Sequence, residues 1–163
     1  MKNLMSHEDA TGATFSEVLV ALVLTSVGVM GAMGAFQASD RGVKQQALAT
    51  RALAEAESKI EMKRAVPWDQ LLFDDLNHDG TPDIIMHDDG TSGDHTAGDG
   101  IYSAMLQEEG MTVIWTVAPR HGMGLGSSGG VVIEARAVYQ TSFGEREVQL
   151  ATLRANPSFA GSR

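Results

Sequence analysis

Residues 12–38 read GATFSEVLVALVLTSVGVMGAMGAFQA, and this stretch decides how the rest of the chain can fold. The 21 residues from Val18 to Ala38 include no charged side chain, and only three polar ones: Thr25, Ser26 and Gln37. A helix of this length is long enough to cross the roughly 30 Å hydrocarbon core of a bilayer. The stretch therefore predicts a transmembrane helix near the N-terminus.

Several kinds of protein carry such a segment, and the residues before it distinguish them. A secretory signal peptide begins with a basic region, whereas here Lys2 is offset by Glu8 and Asp9. A plain membrane anchor fits the length but leaves Glu17 unexplained, because a carboxylate at the edge of lipid is costly without a partner. A core helix that is apolar on all sides is rare in a domain this small.

The spacing from Gly12 to Glu17, followed by an apolar helix, resembles the N-terminus of type IV pilins and type II secretion pseudopilins. The usual family form is Gly-Phe-Thr-Leu-x-Glu, and this chain has Gly-Ala-Thr-Phe-Ser-Glu. The chain departs from the family at Ala13, where the family has Phe, and in a leader without basic residues beside the glycine. Residues 26–37, SVGVMGAMGAFQ, are most similar to PilV-type minor pilins.

The resemblance implies that a prepilin peptidase removes residues 1–12 by cleaving between Gly12 and Ala13, and that Ala13 is N-methylated. It implies residence in the bacterial inner membrane as a single-pass protein, and then in a periplasmic or extracellular filament. The partners would be other pilins, bound through the N-terminal helix, and the inner-membrane assembly machinery. Glu17 would pair with the N-terminal amine of a neighbouring subunit, and in a low dielectric this ion pair favours the aligned register.

Residues 13–38 are thus expected to form the membrane or filament-core helix, and residues 39–66 its amphipathic continuation. The second segment is rich in Ala, Leu, Glu, Gln and Lys, which are good helix formers, and Pro67 ends it. Glu55 and Lys59 are predicted to pair on its solvent side. The predicted apolar face consists of Val43, Ala47, Leu53, Ala56 and Ile60.

Residues 74–100 are strongly acidic, with eight Asp, five Gly and no Lys or Arg. Within DLNHDGTPD, four oxygen-bearing side chains follow the first part of an EF-hand calcium loop, with Gly80 at the sharp bend: Asp75, Asn77, Asp79 and Asp83. The twelfth position is Met86 instead of Glu, and Asp88 could supply the missing oxygen. The segment predicts a calcium site, with a solvated turn as the alternative.

A second candidate calcium site follows in DDGTSGDHTAGDG, where Asp and Gly recur at near-even spacing. We predict Asp89, Asp94 and Asp99 as its ligands, although Asp and Gly are also favoured in ordinary β-turns. Calcium is the only cofactor that the sequence suggests.

The rest of residues 67–163 is predicted to form a β-rich head. MTVIWTVAP, GVVIEARAVYQ and REVQLATLR each alternate apolar and polar residues, as half-buried antiparallel strands do, and residues 102–107 add a fourth strand. The predicted fold class is therefore α+β: a long N-terminal helix whose second half packs on a small antiparallel sheet, as in pilins.

The amino-acid composition argues against several classes of function. There is no cysteine, which excludes disulfides and thiol catalysis, and a net charge of −9 argues against nucleic-acid binding. No nucleophile elbow or zinc-protease motif occurs, so we expect no enzyme. The expected function is that of a minor pilin or pseudopilin. The alternative is a permanently membrane-anchored calcium-binding or adhesive module that does not assemble.

Overall fold

The structure is a computed structural model that describes residues 14–120 and 124–158. Its first element is one long helix, α1 (Phe15–Ala65), which passes through Gly42 without a break. The helix stops two residues before Pro67, because proline restricts the residue before it and cannot donate a backbone hydrogen bond. The predicted long N-terminal helix is confirmed.

The chain divides into two units, one up to Lys44 and one from Gln45 onward. In the first unit, every described side chain is exposed. The second unit contains the C-terminal part of α1, a 3₁₀ turn (Trp68–Gln70) and six strands. Two of these strands are short and pair with each other: β1 (Phe73–Asp74) and β2 (Ile84–Ile85).

Four longer strands form an antiparallel meander in the order β3-β4-β5-β6. Their bounds are Tyr102–Glu108, Met111–Pro119, Gly130–Thr141 and Gly144–Ala155. The predicted strands agree with this sheet, including the fourth strand expected at residues 102–107. Short connections join β3 to β4 and β5 to β6, which is why sequential strands are neighbours.

Burial follows the predicted alternation along the two central strands. On β4 the buried side chains include Val113, Trp115 and Val117, whereas Ile114 between them is only half-buried. On β5 one face is buried from Val131 to Tyr139, and the intervening residues are more exposed. One face of the sheet therefore carries the core, as expected for a sheet with a helix on one side.

The C-terminal part of α1 closes this core, and the α+β arrangement predicted from the sequence is confirmed. Ala52 and Ala56 are fully buried and Ile60 nearly so, in one cluster with the buried side chains of β4 and β5. Part of the predicted apolar face was wrong, because Val43, Ala47 and Leu53 are exposed. Apart from Ile60, the buried apolar side chains of the helix are alanines.

A buried polar cluster joins the end of α1 to β1. The Lys63 ammonium lies 2.7 Å from Asp74 Oδ1, and both side chains are fully buried. Trp115 Nε1 donates to Asp74 Oδ2 at 2.9 Å, and the Lys59 ammonium lies over the Trp115 ring, 4.9 Å from its centre. The predicted solvent-side pairing of Glu55 with Lys59 was therefore wrong, since Lys59 faces the core.

Burial lowers the pKa of Lys63, because desolvation disfavours the ammonium, while Asp74 opposes the shift. The ammonium also donates to two backbone carbonyls, those of Leu71 at 2.8 Å and Phe73 at 3.4 Å. The buried lysine is tolerated in the core because its charge is paired with Asp74 and two of its N–H groups have carbonyl acceptors.

Candidate functional site

The first candidate site is the apolar segment of α1. Its most hydrophobic 18-residue window has a mean hydropathy of 2.2, and none of that window is buried. Among the described residues it is the one helix long and apolar enough to cross a membrane. Phe15, Met30 and Phe36 each leave about three quarters or more of their side chain exposed. Such a surface calls for a non-aqueous surrounding or for other helices.

Glu17 lies in the first turn of this helix and is exposed. One of its carboxylate oxygens, Oε2, accepts a hydrogen bond from the Thr14 backbone N–H at 3.3 Å. An acid in the first turn is favourable, because the unpaired N–H groups leave partial positive charge there. In this chain alone Glu17 thus stabilises its own helix start. Gly12 and Ala13, the predicted processing residues, lie outside the described residues.

The first acidic loop, residues 75–83, is held by its own carboxylates. Asp75 accepts the backbone N–H groups of Asp79 and Gly80, at 3.1 and 2.8 Å. Asp83 Oδ2 accepts those of Leu76 and Asn77, at 2.7 and 3.2 Å. Such bonds from side chain to backbone are typical of Asx turns.

The carboxylates of this first loop accept hydrogen bonds from backbone N–H groups and from nearby side chains of the loop. Asp79 Oδ1 accepts from the Thr81 backbone, and the Asn77 amide donates to Asp79 at 3.1 Å. The hydrogen bond from the Thr81 hydroxyl lowers the pKa of Asp79. Within the described chain, Asp75, Asp79 and Asp83 do not form a cluster whose ligand atoms converge as they do in the second loop.

The second acidic loop, residues 88–100, does bring three carboxylates together. Ligand oxygens of Asp88, Asp94 and Asp99 lie within 4.8 Å of one another. We call these three residues the acidic triad. Asp88 and Asp94 also accept backbone N–H groups of the loop, and Asp99 accepts that of Ile101 at 2.9 Å.

Backbone donors hold each member of the acidic triad in place. Asp88 accepts from Gly98 at 2.6 Å and from Gly100 at 2.9 Å. Asp94 accepts from Gly90 at 2.8 Å and from Thr96 at 3.0 Å. The bond from Thr96 is the main reason that the pKa of Asp94 is lowered.

Asp94 is nearly buried, Asp88 is half-buried and Asp99 is exposed, so the acidic triad opens to solvent on one side. Like charges this close repel unless a cation or protons compensate. Carboxylate oxygens are the ligands that Ca²⁺ prefers, at about 2.3–2.6 Å and six to eight per ion. The acidic triad could supply three of them, since each carboxylate oxygen has a second lone pair.

The predicted ligands of the second loop differ from the acidic triad by one residue. Asp94 and Asp99 belong to it, whereas Asp89 is turned away and accepts from the backbone and hydroxyl of Thr91, at 3.0 and 2.6 Å. The Thr91 hydroxyl bond is the main reason that the pKa of Asp89 is lowered. Asp88, considered from the sequence as an extra ligand of the first loop, takes the third place.

Two contacts fix the second loop on the head. His87 exchanges backbone hydrogen bonds with Ser103 at the start of β3, at 3.0 and 2.9 Å. Gly93 lies against Ile114 so closely that a Cβ at this position would come within 2.3 Å of Ile114 Cγ2. The loop therefore packs on the face of the sheet opposite to the helix, and only glycine fits at its point of contact.

Comparison of the whole chain with known protein families, curated proteins and solved structures gives no match.

Proposed function

We propose that this chain is a minor pilin or pseudopilin, a structural subunit of a type IV pilus or of a type II secretion-like filament. In this proposal a prepilin peptidase cleaves between Gly12 and Ala13, and Ala13 is methylated. The subunit waits in the inner membrane as a single-pass protein and is then assembled through its N-terminal helix. The acidic loops are a feature of the head.

One observation carries the proposal: α1 is exposed and apolar directly behind Glu17, yet its last turns are packed into a sheet. A plain anchor needs the apolar half only, and a soluble domain needs the packed half only. A subunit that is stored in lipid and then packed among other helices uses both, as would an anchored module with a folded head. The resemblance from Gly12 to Gln37 favours the filament subunit.

Glu17 gives the proposal its physical basis. Removal of twelve residues would leave an amine on Ala13, and the Glu17 carboxylate is one helical turn further along. Within one chain, Glu17 binds the Thr14 backbone N–H at the long distance of 3.3 Å, a bond that a charged partner can replace. In the filament the amine of a neighbour would be that partner.

The decisive experiment is mass spectrometry of the N-terminus of the native protein, taken separately from membrane and filament fractions. We expect a chain that begins at methylated Ala13. A chain that still begins at Met1 in both fractions would favour the alternative, a permanently anchored calcium-binding or adhesive module. A new N-terminus close to Phe36 would indicate a secretory signal peptide instead.

A second experiment tests assembly itself. We expect Glu17→Ala to be processed and held in the membrane but to be lost from filaments, because the aligned register lacks its ion pair. Ser16→Ala is the matched control, one residue away and equally exposed, and should assemble normally. Normal incorporation of Glu17→Ala would contradict the proposed role of the carboxylate.

Calcium binding by the acidic loops remains a separate proposal. The close approach of Asp88, Asp94 and Asp99 favours the second loop over the first. Failure of this proposal would leave the filament proposal unaffected.

A further inference from the structure

The face that α1 presents to the sheet carries one large apolar side chain that is nearly buried, Ile60, and otherwise small or partly buried ones. Ala52 and Ala56 are the fully buried apolar residues on it, and Leu48 and Ala49 are packed at its edge. Helices normally take their position from ridges of large side chains that fit into grooves. Alanines one turn apart make shallow, repeating ridges, so Ile60 is the one large, nearly buried apolar side chain on this face, among the described residues, that opposes a shift by one turn.

The buried polar cluster, by contrast, can form in one axial position of the helix, because each of its groups needs a specific partner. The Lys63 ammonium needs Asp74 Oδ1 at 2.7 Å and the carbonyls of Leu71 and Phe73. Oδ1 has no other partner among the described residues than this ammonium. A shift of one turn, about 5.4 Å, would separate all of these groups inside the core, where they have no water to replace them.

In one shifted position another lysine could reach Asp74, because Lys59 lies one turn before Lys63. A helix moved by one turn towards its C-terminus would bring Lys59 to Asp74. The same movement would bring Glu55 to the place of Lys59, over the negative face of the Trp115 ring. A buried carboxylate against that face is unfavourable, so the order of Glu55, Lys59 and Lys63 makes the two positions unequal.

A second contact acts at the end of the helix. The Arg154 guanidinium, on β6, donates to the backbone carbonyls of Lys63 and Val66, both at 2.5 Å. These carbonyls belong to the last turn of the helix and the residue after it, and have no partner further along α1. The contact is specific for the end of the helix, because the carbonyls one turn earlier already accept hydrogen bonds within the helix.

We propose that the buried Lys63–Asp74 pair, supported by Arg154, sets the axial register of α1 on the sheet. Its contribution is one of specificity: apolar side chains of similar size would keep the head folded but would allow more than one register. A buried ion pair often adds little net stability over such replacements, since desolvation offsets the attraction.

The test uses the full chain in detergent, spin-labelled at two introduced cysteines, which are unique because the chain has none. Exposed positions Ser58 on α1 and Gln107 on β3 are suitable. Arg51 meets Glu109 beside β3, so Ser58 lies about 10 Å further along the axis, and sliding by one turn changes the distance between the labels.

Electron–electron double resonance should give a single narrow distance for the otherwise unchanged chain. In Lys63→Met/Asp74→Leu we expect a folded head with a second distance, several ångströms away. The control is Arg51→Met/Glu109→Leu, which removes another ion pair between the helix and the head, but an exposed one. It should leave the single distance unchanged.

A single narrow distance in Lys63→Met/Asp74→Leu would overturn the proposal, because packing alone would then set the register. Loss of folding in that variant would overturn it as well, because the pair would then be required for stability. A second distance in the exposed control would show that any helix contact has this effect, and that the buried pair is not special.

Discussion

Replacement of Lys63 by Met should destabilise the head strongly. Met fills most of the space of the lysine chain but leaves the Asp74 carboxylate buried, with the Trp115 N–H as its side-chain partner. Removal of one member of a buried ion pair typically costs about 3–5 kcal/mol.

Two losses add up in this variant. The Asp74 carboxylate stays in the core without a counter-charge, and the Leu71 and Phe73 carbonyls lose the ammonium that donates to them. We therefore expect a loss of about 3–5 kcal/mol at pH 7.

The assay is thermal unfolding followed by near-ultraviolet circular dichroism, which reports on buried Trp115. For a head of roughly 120 residues, an unfolding entropy of about 2.1 cal/mol/K per residue converts the expected loss into a decrease in Tm of about 12–20 °C at pH 7. Arg51→Met, which breaks the exposed pair with Glu109, should cost less than about 1 kcal/mol. A decrease for Lys63→Met that is no larger than the decrease for this control would refute the reasoning.

Three further predictions concern the acidic loops. Gly93→Ala should lower the Tm by about 4–12 °C, since overpacking against Ile114 costs about 1–3 kcal/mol. The control is Gly98→Ala, which is also at a positive φ but has no neighbouring atom within 4 Å, and should cost only the backbone strain. Equal losses in the two variants would contradict the close packing of Gly93 on Ile114. Calcium at a hundred times its Kd should stabilise the head by about 2.7 kcal/mol and so raise the Tm by about 11 °C, and Asp94→Asn should abolish the rise. Equal midpoints in Ca²⁺ and in EGTA would contradict calcium binding. In EGTA, the lowered pKa values of Asp79, Asp89 and Asp94 predict that their contribution to stability is constant above about pH 5 and is lost below about pH 4, because the carboxyls of the unfolded chain bind protons first. Unfolding measured across this pH range checks the prediction. A loss of stability between pH 7 and pH 5 instead would contradict the sign.

The sequence predicted the elements of this fold well, because their signals are local. Alternation in MTVIWTVAP and GVVIEARAVYQ identified both the strands and their buried faces. The apolar run and Pro67 identified the helix and its end. In each case the pattern lies within the element that it predicts.

The helix face was predicted only in part, and the polar cluster was not predicted, for a physical reason. Val43 and Leu53 are apolar, but burial depends on which side meets the sheet, and the sheet accepts alanines there. Lys59 was predicted on the solvent side and Lys63 was given no role, because a buried lysine requires an acceptor that only the fold supplies. Asp74, which lies eleven residues after Lys63, is that acceptor, and nothing in the local sequence pairs them.

Membership of the acidic triad was predicted in part, for a similar reason. Asp88 and Asp89 are adjacent and chemically identical, so spacing alone does not say which of them points inward. The choice is made by the backbone N–H groups of Gly98 and Gly100, which reach Asp88 from ten and twelve residues away.

The bare apolar half of α1 restricts how the protein can move from one location to another. Twelve large apolar side chains from Phe15 to Phe36 are exposed. Immersing all of them in water would cost about 20–35 kcal/mol, at about 1.5–3 kcal/mol each. That exceeds the about 5–15 kcal/mol that holds a typical domain folded, so no rearrangement of the head could offset it. Any transfer of this chain must therefore pass directly from one apolar environment to another, without an intermediate in which this part of the helix is dissolved in water.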